Sequence, residues 1–434
     1  MQGQNPGKIQ PVSARSEKTL YTRFAQRRST PGGTLPRNPN NLSTDLRGAG
    51  RLAVDAITGI TDMVESLHHT FTSFSGRLGI TDQDRTKGIT GMVYRNIRSV
   101  TEVVGERIDV LLGRLSSKLG EKDSSPGREA VLSALNGVLG DHLVARNNPL
   151  AIPMQFRRNG KPLNKQSLLD TIQQSDGKIA IMVHGSCMND LQWNRRGHDH
   201  GAALAHDLGF TPLYVHYNTG LHISENGRKL SDLLETIIAQ SSSPIALFIV
   251  AHSMGGLVSR SACHYGKKSG HTWVNHLRKL VFLGTPHHGS PLEKGGNWID
   301  TILEISPYST PFSRLGKIRS RGITDLRYGN VLEDDWKGCD RFDFSGDQRT
   351  PAPLPEGVQC YSIAATTGKK SNKLGDGLMG DGLVTLSSAL GRHKNAELNL
   401  LFPQTHQWVG RNMSHLDLLN HPEVYETIKK WLKT

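Results

Sequence analysis

Ile245–Gly256 of this 434-residue chain reads I-A-L-F-I-V-A-H-S-M-G-G. Three of its residues, Ile245, Ile249 and Val250, are β-branched within an apolar run, which is the pattern of a strand buried on both faces. Leu257–Ala262 then reads as a helix. A serine between such a strand and helix, with small residues two before and two after it, has the form of a nucleophile elbow. The small neighbours are Ala251, where glycine is usual, and Gly255. The alternative is a tight turn in which Ser253 only caps the helix. A free serine hydroxyl is a poor nucleophile, so the chemistry needs a base, a carboxylate to orient it, and donors for the oxyanion.

In the strand-turn-helix setting those partners follow in the order serine, acid, histidine. Gly380-Asp381-Gly382-Leu383-Val384 supplies an acid flanked by small residues. A near-copy, Gly375-Asp376-Gly377-Leu378, makes Asp376 the alternative. Asp381 is preferred because apolar Leu383 and Val384 would anchor its loop. For the base the C-terminal region offers His406, His415 and His421. His415 stands just before an expected helix and is preferred, whereas His421 precedes Pro422 and reads as a helix start. The amide of Met254, after the serine, and that of Ser186 in Val183-His184-Gly185-Ser186 are the candidate oxyanion donors. His184 reads as a packed neighbour rather than a base.

These groups need a framework. Asn159-Gly160 between Met154–Arg158 and Lys161–Leu163 signals a hairpin. Further strands are expected at Lys178–Val183, Thr211–His216, Leu280–Leu283, Val358–Ala364 and finally Glu397–Phe402. Helices are expected at Lys165–Gln173 and Gly227–Ala239. Strands alternating with helices predict an α/β fold whose mostly parallel sheet is covered on both faces, with its crevice at the carboxyl ends of the strands.

Upstream, residues 1–45 are rich in Pro, Gly, Ser, Asn and Arg, and residues 1–50 carry eight Lys/Arg against Glu17 and Asp45. They read as a disordered basic tail, able to touch an anionic membrane surface. Residues 46–146 show helical periodicity: Ala53, Ile57, Ile60, Val64, Leu67 and Phe71, then Ile89 to Leu115, then a helix over Gly127–Val144. They are assigned to an N-terminal helical module, and 147–434 to the catalytic domain. Within the latter, 291–355 is expected to form a lid or cap, with Trp298, Ile299, Ile302, Leu303 and Ile305 near its start.

The net charge is +13, yet no nucleic-acid-binding motif accompanies it, and no nucleic-acid partner is expected. No apolar run approaches the roughly 18 residues of a membrane span, and the first residues lack a secretory core. Scattered Cys187, Cys263, Cys339 and Cys360 read as free thiols. A cytoplasmic protein with peripheral membrane contact is the expectation. His198, Asp199, His200, His287 and His288 have no diagnostic ligand spacing, so neither metal nor other cofactor is expected.

Taken in order, V-H-G-S, A-H-S-M-G-G, Phe282–Pro291 (F-L-G-T-P-H-H-G-S-P), G-D-G-L-V and S-H-L-D-L-L resemble the α/β-hydrolase superfamily. The resemblance is to its lipase/esterase group, in particular bacterial triacylglycerol-lipase-like and inositol-deacylase-like proteins. It covers residues 178–432. It implies an α/β-hydrolase fold, a Ser253–His415–Asp381 triad, and Ser186 and Met254 amides at the oxyanion. It further implies hydrolysis of carboxylic esters with an apolar or lipid-like acyl group through an acyl-enzyme. Acyl transfer or thioester cleavage by the same triad is the first alternative. A catalytically inert membrane-associated or scaffolding protein is the second.

Overall fold

The computed structural model describes residues 51, 126–241, 244–289, 320–338, 347–368 and 380–433. The chain divides into two compact units, Met1–Asp123 with Asn147–Leu150, and Ser124–Arg146 with Ala151–Thr434. In the first, Arg51 donates to the Asn147 carbonyl at 2.7 Å. The basic tail, the two longer amphipathic stripes and the apolar cluster Trp298–Ile305 lie outside the described residues.

The second unit is built on an eight-stranded sheet of order β2-β1-β4-β3-β5-β6-β7-β8. Its strands are β1 (Gln155–Arg158), β2 (Lys161–Pro162), β3 (Lys178–Val183), β4 (Thr211–His216), β5 (Ala246–His252), β6 (Leu277–Leu283), β7 (Gln359–Thr366) and β8 (Gln407–Arg411). β1 runs antiparallel to both β2 and β4, and every other pairing is parallel. The hairpin forms where Asn159-Gly160 predicts it, with φ 51 and 74 at those two residues, the left-handed pair that a two-residue turn requires.

The apolar runs are continuous because both faces of the sheet are covered. Ile179, Ile181, Val183, Ile249, Ala251 and Phe282 face one core cluster. Their alternates Ala180, Met182, Val250, Val281 and Leu283 face the other. The first face is covered by α1 (Pro126–Ala145), α2 (Lys165–Gln173), α4 (Ile223–Gln240), α5 (Met254–Ser269) and α6 (Arg321–Tyr328). The second is covered by α3 (His200–Leu208) and, after the short α7 (Leu386–Ala389), by α8 (Pro422–Lys433). Among the described residues no helix is long and apolar enough to cross a membrane.

Glu397–Phe402 is not the last strand: Asn395 caps a short 3-10 turn at Ala396–Leu398, and the ladder is completed by Gln407–Arg411. Leu398, Leu400 and Phe402 do alternate inward, which is why the segment looks like a strand. The helix α1, grouped in the sequence with the N-terminal module, lies in the same compact unit as the sheet. It is tied there by charge. Arg157 of β1 donates to Glu129 of α1 at 2.7 Å and to Asp190 at 3.0 Å, and all three side chains are buried. Burial pushes the Asp190 carboxyl up, but His216 and Arg157 beside it more than offset this and hold it below the usual range.

A buried ion network tolerates rearrangement poorly, because deleting one partner strands the others without water. Arg157→Leu should therefore cost about 3–5 kcal/mol of unfolding free energy. Urea denaturation followed by circular dichroism measures it, and a loss below 1 kcal/mol would refute the network's structural weight.

Candidate active site

The chain crosses from β3 out to β4 and back to β5, so the strand order reverses between β3 and β5. Such a switch point opens a crevice at the carboxyl ends of the two strands. Register pairs Val183 with Ala251, and Ala251 with Phe282. The segments His184–Ser186 and His252–Ser253 therefore emerge side by side.

Ser253 is the hinge between β5 and α5, at φ 54 and ψ −123. That backbone conformation is strained for a residue with a side chain, by about 1–3 kcal/mol, and persists only where the surroundings impose it. Here the Ser253 amide donates to Leu283 on the next strand at 2.8 Å. On the other side, a Cβ on Gly255 would overlap the Val183 carbonyl oxygen, and one on Gly256 would overlap the Thr285 hydroxyl. The helix enters so close to the strand ends that only glycine fits. Ala251 is fully buried in the main core cluster, so its methyl is accommodated in place of the usual glycine.

The candidate acid and base come from successive strand ends. The loop after β7 carries Asp381, and the loop after β8 carries His415. A tight turn fixes the aspartate: its Oδ1 accepts from the Leu383 and Val384 amides at 3.0 and 2.8 Å. Both flanking glycines are required. A Cβ on Gly380 would overlap the Val384 carbonyl, and Gly382 has φ 97. Val384 anchors the turn in a small cluster with Ala364, Leu386, Ala389 and Leu390, as its apolar character predicts. The other Asp381 oxygen, Oδ2, lies 2.7 Å from His415 Nδ1, and the His415 amide donates to the Asp381 carbonyl at 3.0 Å. Since the carboxylate accepts, Nδ1 carries the proton and Nε2 presents its lone pair. His415 Nε2 is buried with no hydrogen-bond partner.

Ser253, His415, His252 and Ser186 line one cavity of about 380 Å³, counting the solvent at its mouth. The rest of its wall is apolar: Met188, Pro286, Leu326, Leu383, Val384 and Leu416. Gly185 lies against the serine, where a Cβ would come within 3.0 Å of Ser253 Cβ. Met254 is the first residue of α5, so its amide has no acceptor within the helix.

The other titratable groups sort by burial. His184 donates from Nδ1 to the Gly185 carbonyl at 2.9 Å and stacks on Tyr217; burial pulls its pKa down to about 3. It is a packed neighbour, as the sequence indicates. Burial raises the Cys187 thiol to about 11, and Cys187, Cys263 and Cys360 are free and buried. His421 precedes α8 and accepts from the Glu423 amide through Nδ1 at 3.3 Å. His406 bonds the Cys360 carbonyl at 3.1 Å. Asp376 lies outside the described residues. Of the expected lid, 320–338 and 347–355 are described, and there Leu326 of α6 reaches the cavity. His252 is a polar cavity residue that the sequence alone did not single out; its signal is a lone imidazole ending an otherwise apolar strand that is buried from Leu247 onward.

The strand order β2-β1-β4-β3-β5-β6-β7-β8, with Ser253 at the turn between β5 and α5, is that of an α/β-hydrolase fold. Residues 152–313 match a family described as a domain of unknown function (DUF7379). No curated protein matches the chain. Among solved structures, the chain is similar to the mature lipase BlEst2 of Bacillus licheniformis, at 17% identity and TM-score 0.38, covering 60% of this chain and 94% of that one. It is similar to Aspergillus fumigatus lipase B at 11% identity and TM-score 0.37, covering 88% and 83% respectively. A third similar structure is the NocB thioesterase domain in covalent complex with a fluorophosphonate nocardicin G analogue, at 12% identity and TM-score 0.36, covering 60% and 97%.

The close approach at the elbow sets a steric test. Gly255→Ala should cost about 1–3 kcal/mol, because overpacking against fixed backbone must shift β3 or α5. A urea midpoint equal to that of the unaltered protein would show that the turn has slack.

Proposed function

We propose that this protein is a serine hydrolase that cleaves carboxylic esters with an apolar acyl group, through an acyl-enzyme on Ser253. One observation carries the reading. A strained serine shares a cavity with a buried histidine whose Nδ1 is held by a carboxylate at 2.7 Å and whose Nε2 is unspent.

The chemistry follows from that arrangement. Ser253 Oγ attacks the ester carbonyl carbon while its proton passes to His415 Nε2. Asp381 keeps the ring in the reactive tautomer and stabilises the imidazolium that forms. The carbonyl oxygen becomes an oxyanion, for which the Ser186 and Met254 amides are the proposed donors; each such donor contributes about 10²–10³ in rate. The imidazolium then gives its proton to the departing alcohol, leaving Ser253 acylated. Water enters, loses a proton to His415 and repeats the sequence in reverse, releasing the acid. The six apolar wall residues support an apolar acyl group as the part bound beside the serine.

Acyl transfer and thioester cleavage use the same first half-reaction and differ in the acceptor or the leaving group. Products formed with added alcohols separate transfer from hydrolysis.

Hydrolysis of p-nitrophenyl esters of graded chain length tests the proposal. Ser253→Ala should reduce the rate to background, and Asp381→Asn should reduce kcat by about 10⁴ by favouring the wrong tautomer. A Ser253→Ala protein as active as the unaltered one would overturn the assignment. Absence of activity in the unaltered protein on every ester would favour an inert site.

A further inference from the structure

The base needs more than Asp381 to hold it, since it stands on an irregular loop. Two other histidines, neither part of the proton path, grip that loop by its backbone. His252 Nε2 lies 3.3 Å from the His415 carbonyl oxygen, and the two rings are 4.7 Å apart. His200, the first residue of α3, places its Nε2 2.9 Å from the Leu418 carbonyl oxygen. A carbonyl only accepts, so both Nε2 atoms must carry protons. His200 Nδ1 is then an acceptor, and His198 Nε2, 2.9 Å away, is the donor that satisfies it.

We propose that His252 and His200 are positioning residues for the His415 loop, with His198 fixing the tautomer of His200. The inference rests on the assignment of His415 as the base. Three contacts then restrain the loop from different elements: the Asp381 carbonyl on the His415 amide, His252 on the His415 carbonyl, and His200 on Leu418, which is itself completely buried. The chemistry also demands that these two histidines stay neutral. A second cation 4.7 Å from His415 would oppose the imidazolium formed during the reaction. Burial provides for this, holding His252 well below the ordinary imidazole range and His200 at about 4. His252 Nδ1 has no partner, so the ring gains nothing from a second proton.

A merely structural role would be met by any side chain that fills the space. A positioning role demands the Nε–H donor, which glutamine reproduces and leucine does not. The readout is the second-order rate of Ser253 labelling by a fluorophosphonate, with kcat and KM on a p-nitrophenyl ester alongside and the thermal midpoint as a check on folding. H252L and H200L should label about 10²-fold more slowly, the cost of misplacing a reacting group by about 1 Å. The loss should fall on kcat, with KM held, and H252Q and H200Q should recover most of it. His198 is partly exposed, so H198F folds even if a leucine variant does not, and it too should label more slowly. Leucine variants or H198F labelling at the unaltered rate, or glutamine variants as slow as leucine, would overturn the proposal. Failure of the unaltered protein to label would instead remove the serine-hydrolase reading, and this inference with it.

Discussion

Ser253 occupies a backbone conformation that an L-residue avoids, and everything around the site is shaped by holding it there. The restraint is steric and directional. β5 delivers the serine beyond the sheet edge, α5 turns back so closely that Gly255 touches the end of β3, and the Ser253 amide is tied to β6. Strain of this kind is sustained only by a rigid frame, and the frame is a parallel sheet dry on both faces. Its alternating residues divide between two core clusters, so neither face can slip in register without exposing a whole set of side chains.

The same sheet brings the remaining groups together without long-range sequence signals. Asp381 and His415 follow β7 and β8, adjacent parallel strands, so their loops start from neighbouring points at one edge of the crevice. Asp381 spends one oxygen on its own turn and the other on His415, which fixes both the carboxylate and the ring. His415, whose remaining nitrogen has no partner, lines a cavity with Ser253. In the proposed mechanism, proton traffic thus has a defined direction before any substrate arrives, which is where preorganised sites gain most of their advantage.

Much of this is legible in the sequence because local chemistry and tertiary demand agree. β3 and β4 are read to the residue, since unbroken apolar or β-branched runs have few alternatives in an α/β chain. α2 is read to the residue as well, with Asn164 capping it. The Gly-Asp-Gly turn is recognisable because both glycines answer real constraints. Where reading fails, the cause is tertiary. α4 begins at Ile223 rather than Gly227 because Asp325, about a hundred residues away, accepts the Ile223 amide at 3.0 Å. β8 escapes notice because only Trp408 and Val409 are apolar in an edge strand, while Leu398, Leu400 and Phe402 alternate like a strand on a segment that turns. The His252 and His200 contacts are invisible for a similar reason: their acceptors are carbonyls 163 and 218 residues away, which no residue type advertises.

Ser253 as the proposed nucleophile that becomes acylated is open to covalent mapping. The protein is treated with a fluorophosphonate, digested, and its peptides are sequenced by mass spectrometry. A single adduct is expected on Ser253, lost when His415 is replaced by alanine. An adduct elsewhere, or one on Ser253 that forms as quickly without His415, would contradict the assignment.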